Sequence, residues 1–99
     1  MVKFVSLERS DRPEKKWRVV LEGDAGRQKT IHFGDKSLND YTTHNPLERD
    51  ERKRLYLARH KANENWNDPE SAGFWSRWIL WNKPTVAASL RDVRSRFSL

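Results

Sequence analysis

Four of the five tryptophans of this 99-residue chain fall between residues 66 and 84, in the run WNDPESAGFWSRWILWNKP. Tryptophan brings a large apolar ring system and one N–H that needs an acceptor when buried. Such a cluster is therefore the centre of a core, a stacking platform or a docking surface. Only 35% of residues are hydrophobic and 34% are charged, so the flanking elements have thin apolar faces and need something large to pack on. On a helix starting at Pro69, residues Phe74, Trp75, Trp78, Ile79 and Trp81 cover nearly half the circumference, with Leu80 opposite and Arg77 outward. The segment is expected to be chiefly core. Trp75 and Trp81, at the edges of the arc, are the residues expected to reach a partner. Gly73 gives a strand or the first helix room for close approach.

The length fits one domain over residues 1–99, large enough to fold without staples. No cysteine is present, which excludes disulfides and thiolate metal sites. No apolar run approaches membrane-spanning length and the first residues lack a signal-peptide core, so the expectation is a soluble protein used where it is made. The net charge of +6 favours polyanionic partners, nucleic acid or an acidic protein surface.

The first third alternates as strands do. Residues 2–7 are β-branched and aromatic-rich. Residues 17–22 set Trp17, Val19 and Leu21 against Arg18 and Glu22. After Gly23-Asp24-Ala25-Gly26, residues 27–33 place Lys29, Ile31 and Phe33 on one face. This pattern predicts a three-stranded antiparallel meander over residues 1–34. Residues 35–99 carry helix start signals. Asn45-Pro46-Leu47-Glu48 offers an N-cap, a proline at the first helical position and a capping-box Glu, for a helix to about residue 63. Asp68-Pro69 starts a second to about residue 81, and Thr85 caps a third to about residue 97. In the third, Val86, Leu90, Val93 and Phe97 form one apolar stripe, while Arg91, Arg94 and Arg96 lie on other faces. The fold class expected is α+β, a β-meander followed by three helices.

Two constellations carry possible chemistry. On the first helix Arg49, Arg52, Lys53, Tyr56, Arg59, His60 and Asn63 share about a third of the circumference, with Leu47, Leu55, Ala58 and Ala62 facing the core. A basic stripe holding a tyrosine can track phosphates and offer a stacking ring. It can equally be a solvated face, because Glu48, Asp50, Glu51 and Glu64 stand at ion-pairing spacing. The second set is Asp40, His44, His60, Asn63 and Glu64. It invites comparison with a His-Asn-His nuclease or a metal site, but the histidines are far apart in sequence and no two-His helical metal spacing exists. His32 stands alone in a strand. His44 and His60 read as hydrogen-bonding residues that fix the loop onto the first helix, and neither metal, cofactor, small-molecule substrate nor catalysis is expected.

The run Phe33-Gly34 through Asp40-Tyr41-Thr42-Thr43-His44, then Ala58-Arg59-His60-Lys61, Ala72-Gly73-Phe74-Trp75-Ser76 and Trp81-Asn82-Lys83-Pro84-Thr85 resembles an uncharacterised family of small basic proteins. These are encoded by large eukaryotic DNA viruses and some tailed phages. The resemblance spans residues 33 to about 97. It departs at Gly34-Asp35-Lys36-Ser37-Leu38-Asn39, where relatives usually read Gly-Ala-Lys-Gly-Tyr-Ser. The resemblance implies a viral origin and a packaged or capsid-associated role, and it carries no established functional residues.

The expectation is therefore a non-enzymatic, virus-encoded structural protein, made in the host cytoplasm or nucleus and incorporated in the virion. It would be a minor capsid or capsid–genome bridging component whose partners are other virion proteins. The alternative is a nucleic-acid-binding protein, DNA-condensing or regulatory, using Arg49, Arg52, Lys53, Tyr56, Arg59 and His60 with Arg91, Arg94 and Arg96.

Overall fold

A computed structural model describes residues 2–99. The strands are β1 (Lys3–Arg9), β2 (Lys15–Glu22) and β3 (Gln28–Asp35), and the helices are α1 (Arg49–His60), α2 (Ala72–Trp75) and α3 (Val86–Phe97). A π-helical stretch, Ser76–Leu80, continues directly from α2. The sheet is antiparallel with order β1-β2-β3, so the α+β arrangement read from the sequence is the one observed. Among the described residues, no helix is long and apolar enough to cross a membrane.

Alternation decides which sheet face is buried. Trp17 opposes Phe33 and Val19 opposes Ile31 across β2 and β3, and all four side chains point at the helical layer with Leu21. On β1 the register shifts between Phe4 and Ser6, so that Phe4 meets Leu21 and Leu7 meets Val19. Strict alternation would send Phe4 and Leu7 to opposite faces. A bulge at Val5 returns both to the core and leaves Val5 exposed at 44%. The β2–β3 turn closes through the Gly23 N–H donating to the Arg27 carbonyl at 2.7 Å, with Ala25 and Gly26 both at positive φ.

Trp75 is the centre of the core. It is 0% exposed, lies 6.3 Å from the Phe4 ring and 6.5 Å from Phe33, and donates its indole N–H to the Pro69 carbonyl at 2.6 Å. The Phe74 edge meets Trp75 at 5.1 Å and Phe97 of α3 at 4.8 Å. Trp75 therefore has no surface for a partner, and its expected contact role is corrected. The stripe of α3 packs where expected, with Val93 fully buried and Val86, Leu90 and Phe97 against the same cluster. Thr85 caps α3 through its hydroxyl, which accepts from the Ala88 N–H at 3.2 Å.

The other helix starts differ from the expectation. Asn45 Oδ1 accepts from the Leu47 N–H at 2.9 Å, which makes a lead-in turn, and α1 begins only at Arg49. Asp68 likewise folds an Asx turn onto Glu70, and the true cap of α2 is Ser71, whose hydroxyl accepts from the Phe74 N–H at 3.2 Å. Beyond Ser76 the wider π turn changes the angular step per residue, and this overturns the helical-wheel placement of Leu80. Leu80 is 3% exposed and sits against Gly34 of β3. A Cβ on Gly34 would come within 2.8 Å of Leu80 Cδ1 and 3.2 Å of Lys16 Cβ, at a φ of +82°.

This geometry separates two glycines. Gly26 shares a positive φ but has nothing within 4 Å of its absent Cβ. Gly26→Ala is expected to cost about 1 kcal/mol through backbone conformation alone. Gly34→Ala is expected to cost about 3 kcal/mol, because overpacking adds to the same backbone term. Urea denaturation of the two variants checks this, and equal losses would show that the Gly34–Leu80 approach is not constraining.

Candidate functional site

The loop between β3 and α1 is built on Asp40. Its backbone and side chain organise the turn: one carboxylate oxygen accepts from the Thr42 N–H at 2.8 Å and from the Thr42 hydroxyl. Its own N–H donates to Thr43 Oγ1 at 2.8 Å, and its carbonyl accepts from the Thr43 and His44 N–H groups. The second carboxylate oxygen takes Lys16 Nζ from β2 at 2.6 Å, with side chains only 12% and 3% exposed. A charge buried this deeply needs its counter-ion, so the pair ties the loop to the sheet. Next door, the Tyr41 N–H donates to the Leu80 carbonyl at 2.9 Å, and the Tyr41 hydroxyl donates to Asp50 of α1 at 2.6 Å. That bond, with burial, holds the Tyr41 phenol above its ordinary pKa.

Helix α1 is rotated relative to the sequence reading. Its inward face is Lys53, Tyr56, Leu57 and His60, while Leu47 is 93% and Leu55 41% exposed. The reason is aromatic. Tyr56 stacks on Trp81 at 4.6 Å and 8°, and His60 stacks on the other side of Tyr56 at 4.3 Å and 25°. Two flat rings facing each other gain more than a leucine would at the same place. Tyr56, expected on the exposed basic stripe, is therefore core. Burial, then the Glu64 carboxylate, holds its phenol well above the usual range. Trp81 is only 9% exposed and is occupied by Tyr56 and, at 5.8 Å, by the His44 ring. Its expected contact role gives way to that of an inner wall.

Between this stack and the 36–44 loop lies a cleft of about 610 Å³, lined among others by Lys15, Leu38, His44, Arg52, Leu55, Arg59 and His60. Its walls mix cations, imidazoles and two exposed leucines. Its carboxylates are engaged: Asp40 by Lys16, Asp35 by the Ser37 N–H and hydroxyl, and Glu64 by the Trp66 indole N–H at 2.9 Å, with its other oxygen 3.5 Å from His60 Nδ1. Among the described residues, no ion pair engages Lys15, Arg52 or Arg59. His44 and His60, distant in sequence, thus do share one cavity. Asn63 is exposed and outside it. Among the described residues no group of three or more His, Asp and Glu is placed to hold a metal ion.

The remaining predicted contact residues divide. Arg49 lies over the Tyr41 ring at 5.3 Å. Lys53 points inward, donating to the Asn82 carbonyl at 2.9 Å. Burial first, then nearby Arg77 and Lys83, lowers the pKa of its ammonium. On α3, Arg91 is exposed, Arg94 covers Phe4 at 4.7 Å, and Arg96 covers Trp78 at 4.7 Å; none lines the cleft. Arg77, expected outward, is drawn in to donate to the Trp81 carbonyl at 2.6 Å and lies 4.3 Å over Trp78. Asn82 bridges this cluster, its amide donating to Asp92 at 2.8 Å. Lys15, Lys16 and Leu38 escaped the sequence reading because only the fold brings β2 and the loop to α1. The one local signal is Asp40 with threonines two and three residues on, a pattern that folds onto its own backbone.

A family model described as a family of unknown function (DUF5754) matches residues 5–60. That is more than half of the chain, and the chain belongs to this family. The matched stretch runs from β1 to the end of α1, so it contains the sheet, the Asp40 loop and the cationic side of the cleft. No curated protein and no solved structure matches the chain.

Two outcomes follow from the buried charges. Lys16→Met leaves Asp40 without its counter-ion and is expected to cost about 3 kcal/mol, with faster amide exchange at Thr43 and His44. Unchanged stability and exchange would remove the pair from its anchoring role. Asp92 is held below the usual carboxylate range by the Asn82 amide first, with Arg96 and Lys83 adding. A lowered carboxylate pKa gives stability that is present above about pH 3.9, the unfolded value, and is lost as pH falls through the folded one. Asp92→Asn should therefore flatten the acid limb of a stability–pH curve, and an unaltered limb would contradict this.

Proposed function

We propose that this chain is a non-enzymatic polyanion-binding protein of a virus particle, bridging shell and genome, with nucleic acid as the polyanion. One observation carries the reading: the fold spends its aromatic mass on the core and presents cations instead. Trp75 and Trp81 are buried, whereas Arg52, Arg59, Lys61 and Arg91 are exposed on a chain of net charge +6. A surface of this kind offers electrostatic attraction to phosphates rather than a large apolar dock. The place in a virion is supported by the resemblance of residues 33 to about 97 to proteins of large DNA viruses and tailed phages.

The test is the salt dependence of binding to nucleic acid. Affinity should fall steeply with salt, and Arg52→Ala and Arg59→Ala should each shallow the log–log slope by roughly 0.7 to 0.9, the share of one phosphate contact. Binding that ignores salt, or slopes untouched by both changes, would remove the reading. Mass spectrometry of purified particles checks the location, and particles lacking the chain would remove that part alone.

A further inference from the structure

We infer that the cleft beside α1 takes one unstacked base of a single-stranded nucleic acid, with the neighbouring phosphates on Arg52 and Arg59. This rests on the polyanion reading and names the form of the strand. The first observation is the ring column. Trp81, Tyr56 and His60 stack in order, at 4.6 Å and then 4.3 Å between centroids, and the column ends at His60, whose side chain stays 36% exposed. All three rings line the cleft. A part-exposed aromatic ring in a cavity wall offers a surface on which a further flat ring can stack, and a base supplies one whatever its sequence.

The second observation is the company of that ring. Leu38 and Leu55 are exposed at 62% and 41% and both line the cleft, giving apolar walls for a planar ring. Arg52 and Arg59 line it too and are exposed, at positions where a backbone entering the cleft would carry its phosphates. A volume of about 610 Å³ is within the range of small-ligand sites, roughly 300 to 1,000 Å³.

The third observation argues against a duplex. The outward face of α1 carries the exposed Glu51, which engages Arg54 in a close ion pair. Pressed into a groove, that face would set this carboxylate against phosphates. A duplex also keeps its base faces inside the stack, where His60 cannot reach them. A single strand needs only to lay its backbone along Arg52 and Arg59 and turn one base inward.

The experiment uses fluorescence anisotropy of the full chain at low salt with three labelled probes: a short single-stranded oligonucleotide, an abasic strand of equal length, and the blunt duplex. The intact strand should bind about tenfold more tightly than the abasic strand, the share of one stacked base, and more tightly than the duplex. His60→Ala should erase the intact-over-abasic preference, while His60→Phe, which keeps a flat ring, should retain it. Equal affinity for intact and abasic strands, or tighter duplex binding, would overturn the inference and leave the polyanion reading standing. Absence of salt-dependent binding to all three probes would overturn both.

Discussion

The stack of Tyr56 on Trp81 sets the orientation of α1, and most of what the surface offers follows from it. The two rings lie 4.6 Å apart and nearly parallel, at the point where the π-helical stretch ends and the chain turns toward α3. With Tyr56 fixed inward, Lys53, Leu57 and His60 follow on the same face, because they recur at the helical spacing. Arg52 and Arg59 are left outside by the same rotation. Tyr41 then locks the start of the helix through Asp50, and Lys53 reaches the Asn82 carbonyl. A leucine-led face would have turned α1 the other way and exposed a different set of charges.

The Lys16–Asp40 pair has a comparable reach on the other side of the cleft. It joins β2 to the loop, and Lys16 and Asp40 line both the main cleft and a neighbouring one of about 500 Å³. One buried charge pair thus fixes the wall that the two cavities share. Such pairs contribute little net stability against an apolar alternative, but losing one partner is costly, so the arrangement specifies a loop position rather than adding strength. Aromatic burial supplies the strength: Trp75 joins sheet and helices, and Phe74 links it to Phe97.

Much of the fold was legible in the sequence, and the reasons differ by element. The strands announce themselves because Trp17, Val19 and Leu21, like Ile31 and Phe33, alternate in a period no helix shares. Thr85 and the stripe from Val86 to Phe97 are equally local. The candidate site was legible only in part. Arg52, Arg59, His44 and His60 are legible by type and spacing, but a helical wheel ranks faces by hydrophobicity and so assigns the inward side to Leu47 and Leu55. It could not know that Trp81 waits opposite Tyr56. A wheel misplaces Leu80 because it assumes one turn size, and the helix widens from Ser76. Lys16 could not be matched to Asp40, since their pairing is a product of the topology.

The proposed surface for nucleic acid is the face of α1 with Arg52, Arg59 and His60, together with the loop at Leu38 to His44. Amide shifts in a two-dimensional NMR spectrum, followed as a short single-stranded oligonucleotide is added, test this directly. Saturable shifts are expected at residues 36–44 and 52–64 and at the Trp81 indole, with Arg18, Thr30 and His32 on the outer face of the sheet unmoved. Shifts confined to that outer face or to Arg91, Arg94 and Arg96 of α3 would contradict it.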